Sequence, residues 1–185
     1  PKLAWEDHRI TVTGLGVAET QVLSMDELVA LPQRTLPITL VCAGNRRKEV
    51  NVTRQSKGFS WGSGAVSTSI WTGVPLHVLL RHCGVDPEAL EPGSYWVNFD
   101  GPDGELPKGV YGTSIPLLKV SRGRHIDACM PHIHVILLYA HHIISTPLAL
   151  DPAQDVLVAF EQNHERLLPD HGFPVRLIIL VKHHA

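Results

Sequence analysis

A six-residue apolar run, Leu36-Pro37-Ile38-Thr39-Leu40-Val41, ends on a cysteine, and the chain then turns through Ala43-Gly44-Asn45 into Arg46-Arg47-Lys48-Glu49. The run has strand length and the small residues after it permit a sharp exit. It therefore reads as a buried strand that delivers Cys42 to a turn crowded with positive charge. A thiol in that company is suited to act as a thiolate, whether as nucleophile or as soft-metal ligand, and the guanidiniums beside it suit an anionic partner. The same residues also fit a structural cysteine beside a solvated turn, since free cysteine is among the most buried residue types. Local pattern alone leaves both readings open.

The rest of the chain punctuates in the same short units. Arg9 to Thr13 alternates like a half-buried strand, with Gly14 to Gly16 as its turn. Ser24-Met25-Asp26-Glu27 predicts a helix start with Ser24 as cap and Glu27 completing a capping box, and Pro32 ends that helix. Lys48 to Lys57 reads as a polar surface loop. Pro75 to Gly84 predicts a second helix, proline in its first turn and glycine at its end. Tyr95–Phe99, Asp155–Phe160 and Val175–Ile179 read as further strands, and Asp100 to Gly104 as a turn-rich acidic loop. Short strands interspersed with two or three helices predict an α+β domain with a mixed sheet. Gly14-Leu15-Gly16 lacks the remaining glycine of a dinucleotide fingerprint, which excludes a nucleotide site of that kind.

Composition narrows the class. The 185 residues suffice for one sizeable core, with 44% hydrophobic and 18% charged residues, as in a soluble globular domain. A formal charge of −2 excludes a broadly basic nucleic-acid surface, so any anion site is local. Cys42, Cys83 and Cys129 form no CxxC pair, which favours a reducing compartment. Ile133 to Ile144 is too short to span a bilayer and carries His134, His141 and His142, so no membrane segment is expected.

Several separated motifs stand in a telling order. Cys42-Ala43-Gly44-Asn45-Arg46-Arg47-Lys48-Glu49 is followed by Gly58-Phe59-Ser60-Trp61-Gly62 and by Val66 to Leu76, VSTSIWTGVPL. Then come Tyr111-Gly112-Thr113-Ser114-Ile115-Pro116, Leu150-Asp151-Pro152-Ala153-Gln154-Asp155 and Asp170-His171-Gly172-Phe173-Pro174-Val175-Arg176. Together they resemble the molybdenum-cofactor domain of eukaryotic nitrate reductase, a member of the sulfite oxidase family. The resemblance covers residues 1–119 and 147–179. It implies the molybdopterin-binding fold of that family, incomplete here at both ends: an upstream Arg-Asn-His cofactor motif and a glycine-rich turn beyond Ile179 have no counterpart in this chain.

The resemblance also implies roles. Cys42 matches the one protein ligand to molybdenum, beside two sulfurs of the pterin dithiolene. Arg47 falls where the family places an arginine facing the substrate anion, for which a fork of fixed donors is suited. Trp61 matches a tryptophan lining that pocket, and core packing is its alternative. Asp103, His171 and Arg176 match contacts to the pterin and its phosphate. Taken singly, Asp103 and His171 also read as ordinary turn and loop residues. Arg46 and Lys48 read as orienting or solvated residues.

The activity implied is reduction of nitrate to nitrite by oxygen-atom transfer on Mo-molybdopterin, in the cytoplasm, with haem and FAD confined to other parts of a full-length homodimeric enzyme. Sulfite oxidation on the same scaffold (mitochondrial or peroxisomal) is the first alternative, and a non-catalytic fragment the second. Nitrate or sulfite is the expected small-anion partner.

Residues 120–146 stand apart from the family pattern, which runs almost directly from the YGTSIP motif to ALDPA. The segment reads as an atypical insertion or translated intron, and 180–185 as a divergent tail. Its apolar run, Val135 to Tyr139, must find a burial site or remain an exposed patch. His132, His134, His141 and His142 invite a zinc or copper site, but no carboxylate or cysteine pair completes a familiar spacing.

Overall fold

The computed structural model describes residues 3–14, 17–85, 94–101, 112–116, 118–119, 134–140, 146–147 and 155–179. Asp103, most of the 150–155 motif, Cys129, His132, His141, His142 and the tail 180–185 lie outside these residues.

Two five-stranded sheets carry the chain. The first takes β1 (Arg9–Gly14), β2 (Gln21–Ser24), β5 (Ser94–Asp100), β6 (Gly112–Pro116) and β8 (His134–Ala140) in the order β2-β1-β8-β5-β6. The second takes β3 (Arg34–Val41), β4 (Val66–Pro75), β10 (Leu157–Gln162) and β11 (Glu165–Arg166) in the order β11-β10-β4-β3. Its fifth strand, β12 (Arg176–Ile178), also pairs with β10. A two-stranded ladder joins β7 (Leu118–Lys119) to β9 (Thr146–Pro147). The first sheet mixes parallel β1–β8 with antiparallel neighbours, so the expected mixed-sheet α+β architecture is what forms.

Among the described residues the helices are few and short: α1 (Met25–Val29), α2 (Arg47–Thr53), α3 (Leu76–His82) and a 3-10 turn at Pro169–His171. The start of α1 is the expected capping box. Ser24 Oγ accepts from the Glu27 N–H while the Glu27 carboxylate accepts from the Ser24 N–H at 2.7 Å. The bond from the Ser24 N–H, with a second donated by the Ser24 hydroxyl at 2.8 Å, holds the Glu27 carboxyl below its usual range. At the other helix Pro75 stands as the N-cap of α3 and Gly84, at φ +86°, closes the turn behind it.

The main core fills the space between the sheets. Ile10, Val12, Val97, Phe99 and Ile115 from the first sheet meet Val74, Val158, Phe160 and Leu177 from the second, with Met25, Leu28, Leu76, Leu79 and Leu80 from α1 and α3. Each such side chain contributes roughly 1.5–3 kcal/mol on full burial. A smaller cluster occupies the far face of the second sheet: Ile38, Trp71, Leu157, Ala159, Leu167 and Ile178. Contact between β4 and β10 is backbone-close. A Cβ on Gly73 would overlap Val158 O and Ala159 Cα, where neither side can yield. Gly73→Ala is therefore expected to cost about 2–3 kcal/mol by overpacking, read as a lower midpoint in urea unfolding. An unchanged midpoint would show that the strands separate freely there.

Two expectations need correction. The strand before Cys42 is not buried: among its eight residues only Ile38 is. Among the described residues β3 pairs with β4 alone, which makes it an edge, and an edge is where Pro37 can sit without breaking a ladder. The segment Lys48–Lys57 is not all loop either. Its first half is α2, a helix with no buried residue, so its polar composition reflects full solvation rather than absence of regular structure.

Residues 134–140, inside the segment expected from sequence to be an insertion, form β8 in the middle of the first sheet. Thr11 to Gly14 run parallel to His134–Leu137, and Ser94 to Asp100 run antiparallel to Ala140–His134. The backbone of the apolar run is thus paired on both edges.

Candidate functional site

Cys42 follows β3 by one residue, and its N–H donates to Ala65 O at 2.9 Å, extending the β3–β4 ladder one step past Val41–Val66. The 42–65 connection then folds back along itself. Arg46 N donates to Gly62 O at 3.0 Å, Lys48 N to Trp61 O at 2.9 Å, and Asn45 Oδ1 accepts from Ala65 N at 3.1 Å. This lacing brings Trp61 against residues 13 and 17 positions earlier: its carbonyl accepts from Lys48 and its indole N–H donates to Gly44 O. The structure therefore unites Cys42, Arg47 and Trp61 in one connection.

The thiol is exposed and accepts the Gly44 N–H at 3.4 Å. A reactive or ligating sulfur is what such a position allows, and the core-cysteine reading does not apply to it. That reading does describe Cys83, buried at the C-terminal end of α3, whose thiol burial pushes up to about 11. Trp61 is 47% exposed and belongs to neither core cluster, so core packing is excluded for it as well. Arg46, at φ +60° ahead of α2, is ion-paired to Glu49. It is engaged on its own helix, as an orienting residue would be. Arg47 instead turns back over the connection: Nη1 donates to Phe59 O at 3.3 Å.

His171 and Arg176 meet at the other end of the second sheet. Arg176 Nη1 donates to His171 O at 3.3 Å, and the guanidinium carbon stands 5.2 Å from the centre of the Trp71 ring. Trp71 is 2% exposed. Its Nε1, like Arg176 Nε, is buried without an acceptor among the described residues. Two buried donors beside a cation suit an anionic or carbonyl-rich group, since each unsatisfied donor costs ~1–3 kcal/mol.

Strand alternation relates the two groups. Leu36, Ile38 and Leu40 share the face of Trp71, and Cys42 is next in that series. Leu36 lies opposite Trp71 and precedes Cys42 by six residues, so at ~3.4 Å per residue the Trp71–Arg176 contact is about 20 Å from the thiol along the strand. The exposed sulfur and the buried indole and guanidinium donors are therefore two separate groups on one face of the sheet, with the buried Ile38 side chain between them. Among the described residues no cluster of three His, Cys, Asp or Glu could hold a metal ion by itself. For His134 the backbone pairing is described, and the rest of the proposed histidine site lies outside the described residues.

Sequence reading missed the backbone partners: Gly44, Gly58, the Phe59 carbonyl and the Trp71–Arg176 stack. Gly58 and Trp71 stood inside recognised motifs, but their contacts are long-range, and spacing carries no signal for them. No helix among the described residues is long and apolar enough to cross a membrane.

Known proteins sharpen the assignment. The chain is 46% identical over 182 residues to the NADH nitrate reductase of Volvox carteri, covering 97% of this chain and 17% of that protein. It is 45% identical over 183 residues to NADH nitrate reductase 2 of Nicotiana tabacum, again covering 97% and 17%. The chain thus spans about a sixth of the length of these curated relatives. Among solved structures, the sulfane dehydrogenase SoxCD of Paracoccus pantotrophus superposes with a TM-score of 0.59 at 24% identity, covering 97% of this chain and 35% of that one, a likeness of fold. The oxidoreductase molybdopterin binding domain matches residues 1–130 and 127–183. With nearly the whole length matched, the chain belongs to the family of oxidoreductase molybdopterin binding domains.

Proposed function

We propose that this chain is the molybdenum-cofactor core of an assimilatory nitrate reductase, reducing nitrate to nitrite. The observation that carries the reading is the grouping of Cys42, Arg47 and Trp61 in the β3–β4 connection, in a chain whose relatives at 41–46% identity are named as NADH nitrate reductases.

Cys42 would hold the metal through its sulfur, a soft ligand for a redox-active centre. His171 and Arg176 would hold the pterin phosphate, and Asp103 the pterin N–H groups. Bound there, Mo-molybdopterin supplies the two-electron oxygen-transfer chemistry. The chain's own residues bind and orient. Arg47 presents a planar cation to a planar anion, with one N–H spent on the Phe59 carbonyl and the rest of its donors left for substrate oxygens. Trp61, half exposed beside it, walls the anion from water on one side. Nitrate enters as an anion, so the positive wall favours its approach. A cytoplasmic location and a homodimeric full-length enzyme are carried over with this reading, as are haem and FAD in its other parts. Residues 120–146 are read as peculiar to this chain within the family.

Arg47→Ala tests the assignment. In protein loaded with molybdenum cofactor, losing one charge-assisted anion contact costs ~1.5–3 kcal/mol, or about one to two decades in kcat/KM for nitrate. Molybdenum content should stay near that of the parent. An unchanged kcat/KM would make Arg47 structural. Turnover of sulfite with no turnover of nitrate would replace the substrate with sulfite.

A further inference from the structure

The Arg47 guanidinium lies in a slot made by two glycines. A Cβ on Gly44 would come 2.9 Å from Nη2, and one on Gly58 would overlap Nη1. Gly58 also holds φ +109°, a conformation open to glycine and strained for other residues. The carbonyl of the next residue, Phe59, accepts from Nη1 at 3.3 Å. What fixes this loop is Asn51, four residues beyond Arg47 on α2 and so on the same side of the helix. Asn51 Oδ1 accepts from Ser56 N at 2.9 Å and from Ser56 Oγ at 2.8 Å, while Nδ2 donates to Ser60 Oγ at 3.3 Å. Ser56 and Ser60 bracket Gly58 and Phe59. One exposed helix thus carries both the guanidinium and the latch for the loop that aims it.

We infer that Gly58 is a positioning residue for Arg47, held in place by Asn51, and that the absence of a side chain at 58 sets the guanidinium's direction toward the anion. The inference rests on Arg47 being the anion-binding group. An arginine left to its own rotamers would sample many directions, and the slot removes that freedom before substrate arrives.

Gly58→Ala is the test. The methyl meets the far end of a flexible side chain, so the guanidinium moves aside and the fold survives. In cofactor-loaded protein, nitrate kcat/KM is expected to fall tenfold or more, chiefly through KM, with molybdenum content retained. Asn51→Ala, which leaves the backbone at 58 unstrained, is expected to give a several-fold fall of the same kind. In an Arg47→Ala background both substitutions should add nothing, because the group they position is gone. A second readout needs no turnover: nitrate should raise the melting temperature above chloride at equal ionic strength, and that rise should vanish in Gly58→Ala and in Arg47→Ala. Losses that multiply with Arg47→Ala would overturn positioning in favour of a general structural role. So would wild-type KM and a full nitrate-dependent melting shift in Gly58→Ala, provided Arg47→Ala itself is impaired. If Arg47→Ala is unimpaired, the anion-binding reading fails first and this inference goes with it.

Discussion

Cys42→Ser is expected to empty the protein of tightly held molybdenum and to abolish nitrate reduction while leaving the fold intact. The exchange is nearly isosteric, and the site tolerates it: the thiol is exposed and accepts the Gly44 N–H, which a hydroxyl can also accept. Nothing in the packing therefore changes. What changes is the ligand. An alcohol is harder and far less acidic than a thiol, so it offers no anionic sulfur to a soft centre, and no other cysteine is near enough in sequence to replace it. The matched control is Cys83→Ser. There the sulfur is buried at the C-terminal end of α3, so a hydroxyl must be desolvated and the loss falls on stability, about 1–3 kcal/mol, with metal content unaffected. Elemental analysis beside a thermal melt separates the two. Retention of more than a few per cent of parental activity by the serine variant would remove Cys42 from the metal.

The contrast between these cysteines shows what the sequence could and could not tell. Motif order placed Cys42, Arg47 and Trp61 together, and the capping box at Ser24–Glu27 and the proline-to-glycine span of α3 are local patterns that formed as written. Burial was another matter. Leu36 to Val41 has the composition of a central strand, yet it lies at an edge, because strand order is fixed by distant pairings and not by the strand itself. The helix at Arg47–Thr53 escaped notice for the opposite reason: with no buried face it leaves no apolar period to read. The stack of Arg176 on Trp71 joins β12 to β4 across β10, where the register shifts between Ala159 and Glu161. A bulge of that kind re-aims side chains in a way no spacing rule anticipates.

Leu137→Pro is expected to be the most damaging single change to the fold, and it bears on the segment read from sequence as an insertion. Leu137 sits in β8 opposite Gly14 on one side and Val97 on the other. A proline there has no N–H to give either neighbour, and its ring enters a ladder occupied on both edges. Central strands exclude proline for that reason, whereas the edge strand β3 accommodates Pro37. The direct cost is about 3 kcal/mol or more. Breaking β8 also separates β2-β1 from β5-β6, since β8 is what joins the two pairs. A domain of ordinary stability has roughly 5–15 kcal/mol to lose. The variant should therefore show little soluble protein and no cooperative thermal transition, with fast hydrogen exchange at Thr11–Gly14 and Ser94–Asp100. If it instead melts like the parent, then 134–140 is an appendage to the first sheet, residues 120–146 are an insertion in the structural sense as well, and β1 and β5 must find each other without it.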